Sequence, residues 1–95
     1  MTSKQRARLR ALANPLDTLF QIGKGGVSEN LLTQLDDLLR ARELIKLRVL
    51  ETAGASAKEM APALAEALDA ECVQVIGSRV VLYRANPELK DCIVL

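Results

Sequence analysis

Apolar positions along this chain recur at two different spacings, and the switches between them predict where helices give way to strands. From Ser3 to Ala13, with Leu9, Leu12, Ala13 and Leu16 on one side, the spacing predicts a helix. It ends at Asn14-Pro15, because the residue before a proline is pushed out of the helical region. Leu16 to Ile22 reads as a short strand and runs into Gly23-Lys24-Gly25-Gly26. Ser28 then suits an N-cap, with Glu29 in the first turn. Leu31, Leu32, Leu35, Leu38 and Leu39 form one helical face, closed by Arg40 and Arg42 at the negative end of the dipole.

Glu43 to Leu50 alternates, with Ile45, Leu47 and Val49 on one face and Lys46 and Arg48 on the other, which predicts a strand. Thr52 to Ala55 is a loop, and Ser56-Ala57-Lys58-Glu59 has the pattern of a capping box. Ala57, Met60, Ala61, Leu64, Ala65 and Leu68 form the stripe of a third helix. Pro62 lies inside that stripe, so the helix either kinks there or starts nearer the proline. Cys72 to Ile76 and Arg79 to Arg84 are two strand-like runs joined by Gly77-Ser78, a tight hairpin in which glycine supplies a positive φ. Asn86 to Leu95 reads as a tail.

The element order is helix, strand, helix, strand, helix, strand, strand. Strand–helix–strand units imply parallel neighbours and the final hairpin adds antiparallel pairing. The expectation is an α/β fold with a mixed four-stranded sheet, as one domain over residues 1–85 with a tail at 86–95. A chain of 95 residues has the length of one domain and little core to spare for an internal cavity.

Composition narrows the chemistry. There is no His, which removes a His base and any His-ligated metal site. Cys72 and Cys92 stand far apart without a Cys-x-x-Cys spacing, and no carboxylate or Lys is spaced as an acid–base pair or set beside a nucleophile. The reading is therefore a non-enzyme without cofactor, metal or small-molecule substrate. No apolar run approaches the ~20 residues that cross a bilayer, and the basic N-terminus lacks the apolar core of a signal peptide. A cytoplasmic location is expected, with no membrane partner.

A net charge of +1 conceals an uneven layout. Residues 1–26 carry Lys4, Arg6, Arg8, Arg10 and Lys24 against Asp17 alone, whereas residues 51–72 carry Glu51, Glu59, Glu66, Asp69 and Glu71 against Lys58. Separated poles let a nearly neutral protein present a basic end to a polyanion, or they are two solvated helix faces of opposite sign. One Phe, one Tyr and no Trp exclude recognition of single strands by a row of stacking aromatics.

The glycine loop is the informative spot. It stands between a strand and a helix N-terminus, where unpaired backbone N–H groups attract phosphate. It is not a nucleotide P-loop, since Val27-Ser28 follows Gly26 where that motif needs Lys-Ser/Thr. It has the G-x-x-G shape of the loop with which KH domains clamp an RNA backbone.

With that loop in place, the chain resembles the YhbY family, the stand-alone bacterial form of the chloroplast RNA splicing and ribosome maturation (CRM) domain. The likeness is carried by Lys4-Gln5-Arg6 through Leu12-Ala13-Asn14-Pro15-Leu16, by Ile22 to Ser28, by Glu43-Leu44-Ile45-Lys46-Leu47-Arg48, and by Val73 to Arg84. The resemblance implies a fold similar to the C-terminal domain of translation initiation factor three. It also implies association with ribosomal RNA in precursors of the large (50S) subunit, with Gly23, Lys24, Gly25 and Gly26 as the RNA contact. The chain departs from the family pattern at Pro62 and in a tail that carries Glu88 and Asp91.

Lys4, Arg6, Arg8 and Arg10 are the candidate phosphate contacts outside the loop, against a merely solubilising role. Lys46 and Arg48 either border the RNA surface or are covered by a carboxylate from a helix. Arg79 flanks the hairpin, Arg84 ends the last strand, and Tyr83 reads as core rather than as a stacking platform. Cys92-Ile93-Val94-Leu95 fits a prenylation box, but Pro87 to Asp91 supplies no polybasic second signal, so it reads as an apolar tail. The leading function is a monomeric RNA-binding assembly factor for pre-50S particles. The alternative is a protein-interaction module using the acidic face of Glu59, Glu66, Asp69 and Glu71.

Overall fold

The alternation along the second predicted strand becomes a sheet with helices on both faces. The computed structural model describes residues 1–90 and 92–95. In chain order the elements are α1 (Ser3–Ala13), β1 (Phe20–Ile22), α2 (Glu29–Arg42), β2 (Leu44–Val49), a 3-10 turn at Glu51–Ala53, α3 (Ala57–Leu68), β3 (Glu71–Ile76) and β4 (Arg79–Tyr83). The four strands lie in the order β1-β2-β4-β3, with β1 parallel to β2 and β4 antiparallel to both its neighbours. The expected α/β architecture with a mixed four-stranded sheet is the one observed.

Residues that alternate along the strands sort onto two cores. Ile22, Ile45, Leu47, Val49, Val80 and Leu82 point to the side covered by α2 and α3, where Leu31, Leu35, Leu39, Met60, Leu64 and Leu68 meet them. On the other side, Leu44, Val73, Val81 and Tyr83 are covered by Leu9 and Ala13 of α1, with Ile93 packed alongside. A bulge between Cys72 and Gln74 turns Val73 into that second core.

Local sequence explains the boundaries. Thr2 caps α1, its hydroxyl accepting from the Gln5 N–H at 3.1 Å while the Gln5 side chain accepts from the Thr2 N–H at 3.0 Å. Ser28 caps α2 as expected, accepting from the Leu31 N–H at 3.1 Å. At α3 the capping box is half formed. Ser56 accepts from the Glu59 N–H at 3.2 Å, but its hydroxyl donates to the Glu59 carboxylate at 3.0 Å. The helix begins at Ala57 and runs through the exposed Pro62, so it does not start nearer the proline. Pro62 removes the donor for the Lys58 carbonyl, and Lys58 is itself exposed, which leaves that carbonyl open to solvent.

Two expectations are corrected. The first strand covers Phe20–Ile22 rather than Leu16 to Ile22. The Leu16 N–H still donates to the Ala13 carbonyl at 3.0 Å, so the chain is finishing the turn after α1 and joins β2 only at Leu19. The second strand starts at Leu44, because Glu43 ends α2 at φ 64 with its N–H on the Leu39 carbonyl at 2.8 Å.

The segment at 86–95 has no helix or strand among its described residues, yet it is tied down. Glu43 is the one buried charged residue among the described residues, 1 % exposed. Its carboxylate accepts from the Asn86 N–H at 3.0 Å and the Ile93 N–H at 2.7 Å. Such charge-assisted hydrogen bonds allow a carboxylate to be buried.

Candidate nucleic-acid interface

β1 delivers the glycine loop to one end of the sheet. Ile22 lies opposite Val49, and the Leu50 N–H donates to the Ile22 carbonyl at 2.8 Å. The chain then turns, with the Gly26 N–H on the Gly23 carbonyl at 3.1 Å. Gly26 needs its lack of a side chain: at φ 56, a Cβ would stand 3.3 Å from the Ala53 carbonyl oxygen. Gly25 needs its freedom differently, since at φ 99 it is exposed with nothing within 4 Å of a Cβ. The loop therefore presents bare backbone at Gly25 beside the exposed Lys24.

The N-terminus of α2 opens beside this loop. Glu29 and Asn30 sit in its first turn, where N–H groups have no intrahelical acceptor. The Glu29 carboxylate partly offsets the positive end of the dipole, and the exposed Lys24 in the adjoining loop adds a positive charge. A shallow hollow of about 190 Å3 beside the loop is lined by Gln21, Lys24, Asn30 and Gln34 among others.

The same end of the sheet carries two more cations. Gln21, Arg48, Arg79 and Ile76 are paired in register across all four strands, on the face that α1 partly covers. Adjacent strands stand about 4.8 Å apart, so Arg48 is one strand and Arg79 two strands from the edge that leads into the loop. The Val49 N–H donates to the Ser78 carbonyl at 2.7 Å and pins the hairpin to β2. Lys46 lies one pleat further back, its ammonium donating to the Asn14 carbonyl at 3.3 Å. Among the described residues, no carboxylate forms an ion pair with Lys24, Lys46, Arg48 or Arg79.

The other candidate residues lie elsewhere. Arg6 donates to the Cys72 carbonyl at 2.6 Å at the β3 bulge and stands 3.8 Å from the Glu71 carboxylate. Arg84 donates to the Leu68 carbonyl at 2.8 Å and the Asp36 carbonyl at 3.1 Å, and pairs with the Asp36 carboxylate at 2.8 Å. It locks the end of α3 to α2, a role that sequence spacing does not reveal. Arg8 donates to the Val94 carbonyl at 3.2 Å. Lys4, Arg8 and Arg10 are exposed on α1, which starts near the bulge at the sheet end opposite the glycine loop. The structure thus gathers Gly23, Lys24, Gly25, Gly26, Arg48 and Arg79, with Lys46 behind them, and holds Arg6 at the β3 bulge, toward the other end of the sheet.

Tyr83 is buried under α1 and offers no stacking platform; burial, then the nearby Glu43 charge, pushes its hydroxyl pKa up. Burial also raises the Cys72 thiol, with Arg6 opposing it. The acidic face is partly engaged internally, since Glu59 serves the α3 cap and Glu71 faces Arg6. Among the described residues, no group of acidic or cysteine side chains is clustered to hold a metal, and no helix is long and apolar enough to cross a membrane.

A glycine loop between a parallel strand and a helix, in this sheet order, can be compared with known proteins. The model of the CRS1 / YhbY (CRM) domain matches residues 1–84. The chain belongs to this family. Among CRM-domain relatives, a protein of Bacillus subtilis named probable RNA-binding protein YqeI is 41 % identical over 91 residues, covering 96 % of this chain and 95 % of that one. A Haemophilus influenzae protein named RNA-binding protein is 31 % identical over 90 residues, covering 95 % and 91 % of the two chains. The solution structure of SAV1595 from Staphylococcus aureus, described as a candidate RNA-binding protein, superposes with a TM-score of 0.78 at 45 % identity. It covers all of this CRM domain and 99 % of its own chain.

Proposed function

We propose that this CRM-domain chain binds RNA, and that its target is ribosomal RNA in precursors of the large ribosomal subunit, where it acts as an assembly factor. The observation that carries this reading is Gly25, exposed at φ 99 beside Lys24, at the sheet end where Arg48 and Arg79 stand without carboxylate partners among the described residues. Bare backbone amides with fixed cations around them suit the phosphates of a folded RNA, whose shape is read without aromatics. RNA-binding relatives over nearly the full chain support the same reading. The chain is read as acting as a monomer in the cytoplasm, with no cofactor.

Gly25→Asp places a carboxylate where phosphate would sit. It should weaken binding to rRNA fragments by about tenfold, the loss of one charge-assisted contact. Gly25→Ala carries the same positive-φ strain without the charge and serves as the control. Changing Lys4, Arg8 and Arg10 together to Glu tests whether the second cationic group also touches RNA. Filter binding across a salt series reads both, because each neutralised phosphate steepens the salt dependence. Unchanged affinity in Gly25→Asp would remove the footing of the proposal. For the ribosomal target, the protein should sediment with immature large-subunit particles and leave them after nuclease treatment. Retention after nuclease would favour a protein partner on the acidic face.

A further inference from the structure

The open part of the α1-side sheet face holds a cleft of about 430 Å3, separate from the glycine loop and its hollow. Its wall is the segment after α1, which the turn at Asn14-Pro15 keeps out of the sheet. Three kinds of chemistry meet there. Ile76 and Leu16 supply apolar surface above the buried Val81, and Ile76 is 55 % exposed despite its strand position. Asn14 and Gln74 supply amides that can both donate and accept. Lys46 and Arg79 line the cleft, and Arg48 is paired directly with Arg79 in the ladder. Asp17 lines it too, the one carboxylate among its described lining residues, against Lys46 and Arg79.

An aliphatic floor, side chains able to read a polar edge, and guanidinium groups suited to phosphate match the parts of a nucleotide. The volume fits a small ligand, since such sites begin at roughly 300 Å3. The cleft lies on the same sheet face as Gln21, the residue two before the loop, so an RNA strand held at the loop is carried toward it. Unpaired bases are the parts of a folded RNA that side chains can read.

We infer that this cleft seats one unpaired nucleotide of a folded RNA, its base against Ile76 and Leu16 and its phosphate on Arg48 and Arg79. The inference rests on the RNA-binding reading and deepens it: the glycine loop holds backbone, and the cleft selects a displaced base.

The test uses the full chain and two RNAs, a fully paired stem and the same stem with one bulged nucleotide, compared by fluorescence anisotropy. The wild type should favour the bulged stem by about tenfold, the worth of one charge-assisted contact. Arg48→Gln with Arg79→Gln should bind both stems alike, whereas Gly25→Asp should weaken both and keep their ratio. In amide NMR spectra, the Asn14 and Gln74 side-chain signals should move with the bulged stem and stay with the paired one. Equal binding of the two stems by the wild type, or a preference that survives the double substitution, overturns the inference and leaves the RNA-binding reading standing. Failure of the wild type to bind either stem overturns both. If polyglutamate moves the same amide signals as strongly, the cleft is a general anion surface and the inference fails.

Discussion

On the α2–α3 side of the sheet, Ile45, Leu47 and Val49 of β2 are buried without exception; on the α1 side of the same strand, Leu44 is covered, Lys46 is half-buried and Arg48 stands in the open. Two helices cover the first face and one covers the second. A helix about 10 Å across shields roughly two strands spaced 4.8 Å apart, so one helix cannot cover four. The uncovered half is therefore left to solvent, and most of its strand positions are polar. Polarity alone does not require one sign, however, and a face serving only solubility usually mixes both. Here the open half carries Lys46, Arg48 and Arg79 against Asp17. One face holds the fold together, and what the other carries beyond solvation points to a polyanion.

Neighbouring residues on β2 give the largest test of that division. Leu47 is fully buried, and Leu47→Ala should cost about 2–5 kcal/mol, the transfer of the lost methyl groups plus the cavity they leave. Urea unfolding measures it, and the RNA affinity of the fraction still folded should not change. Should Leu47→Ala weaken RNA binding more than it destabilises, the two faces are coupled and the division fails.

Arg84 sharpens the comparison at intermediate size. Its guanidinium is engaged with two carbonyls and the Asp36 carboxylate, and it leaves the strand at the end opposite the glycine loop. Arg84→Gln should cost about 1.5–3 kcal/mol, because it removes hydrogen bonds made by a charged, half-buried donor and leaves Asp36 without one of its partners. RNA affinity and its salt slope should match the wild type. A shallower slope would mean that Arg84 touches phosphate after all, as its place in the sequence suggested.

The contrast between Arg84 and Arg48 shows what was legible in the sequence. Residues within one element were readable: the alternation of Ile45, Leu47 and Val49 with Lys46 and Arg48 gave the strand and both its faces, and Ser28 gave the start of α2. The glycine loop was equally readable, since Gly25 and Gly26 have the positive φ values that demand glycine. Contacts between distant elements were not. Nothing near Arg84 in the chain announces Asp36, and nothing near Glu43 announces Asn86 and Ile93, because those partners meet only once the sheet has formed. Arg6 reads as one more cation of a basic helix, yet a bulge 66 residues later takes its guanidinium. The cleft shares this origin, since Asn14, Lys46, Gln74 and Arg79 come from four separate segments.

The smallest predicted effect is the most discriminating. Arg48 and Arg79 lie directly opposite each other in the β2–β4 ladder, an arrangement that destabilises a sheet. Both are exposed, so water and salt screen most of the repulsion, and its cost is on the order of a few tenths of a kcal/mol. Arg79→Gln should therefore leave the fold as stable as the wild type or slightly more so, with the gain largest at low ionic strength. The same substitution should weaken RNA binding most at low ionic strength, where the counterion term is strongest. Opposite signs from one change are what a residue kept for a ligand produces, because the free protein bears a repulsion that the bound phosphate relieves. If thermal unfolding at low salt shows Arg79→Gln to be clearly less stable, Arg79 holds the hairpin in place, and the open face loses one of the cations on which its reading depends.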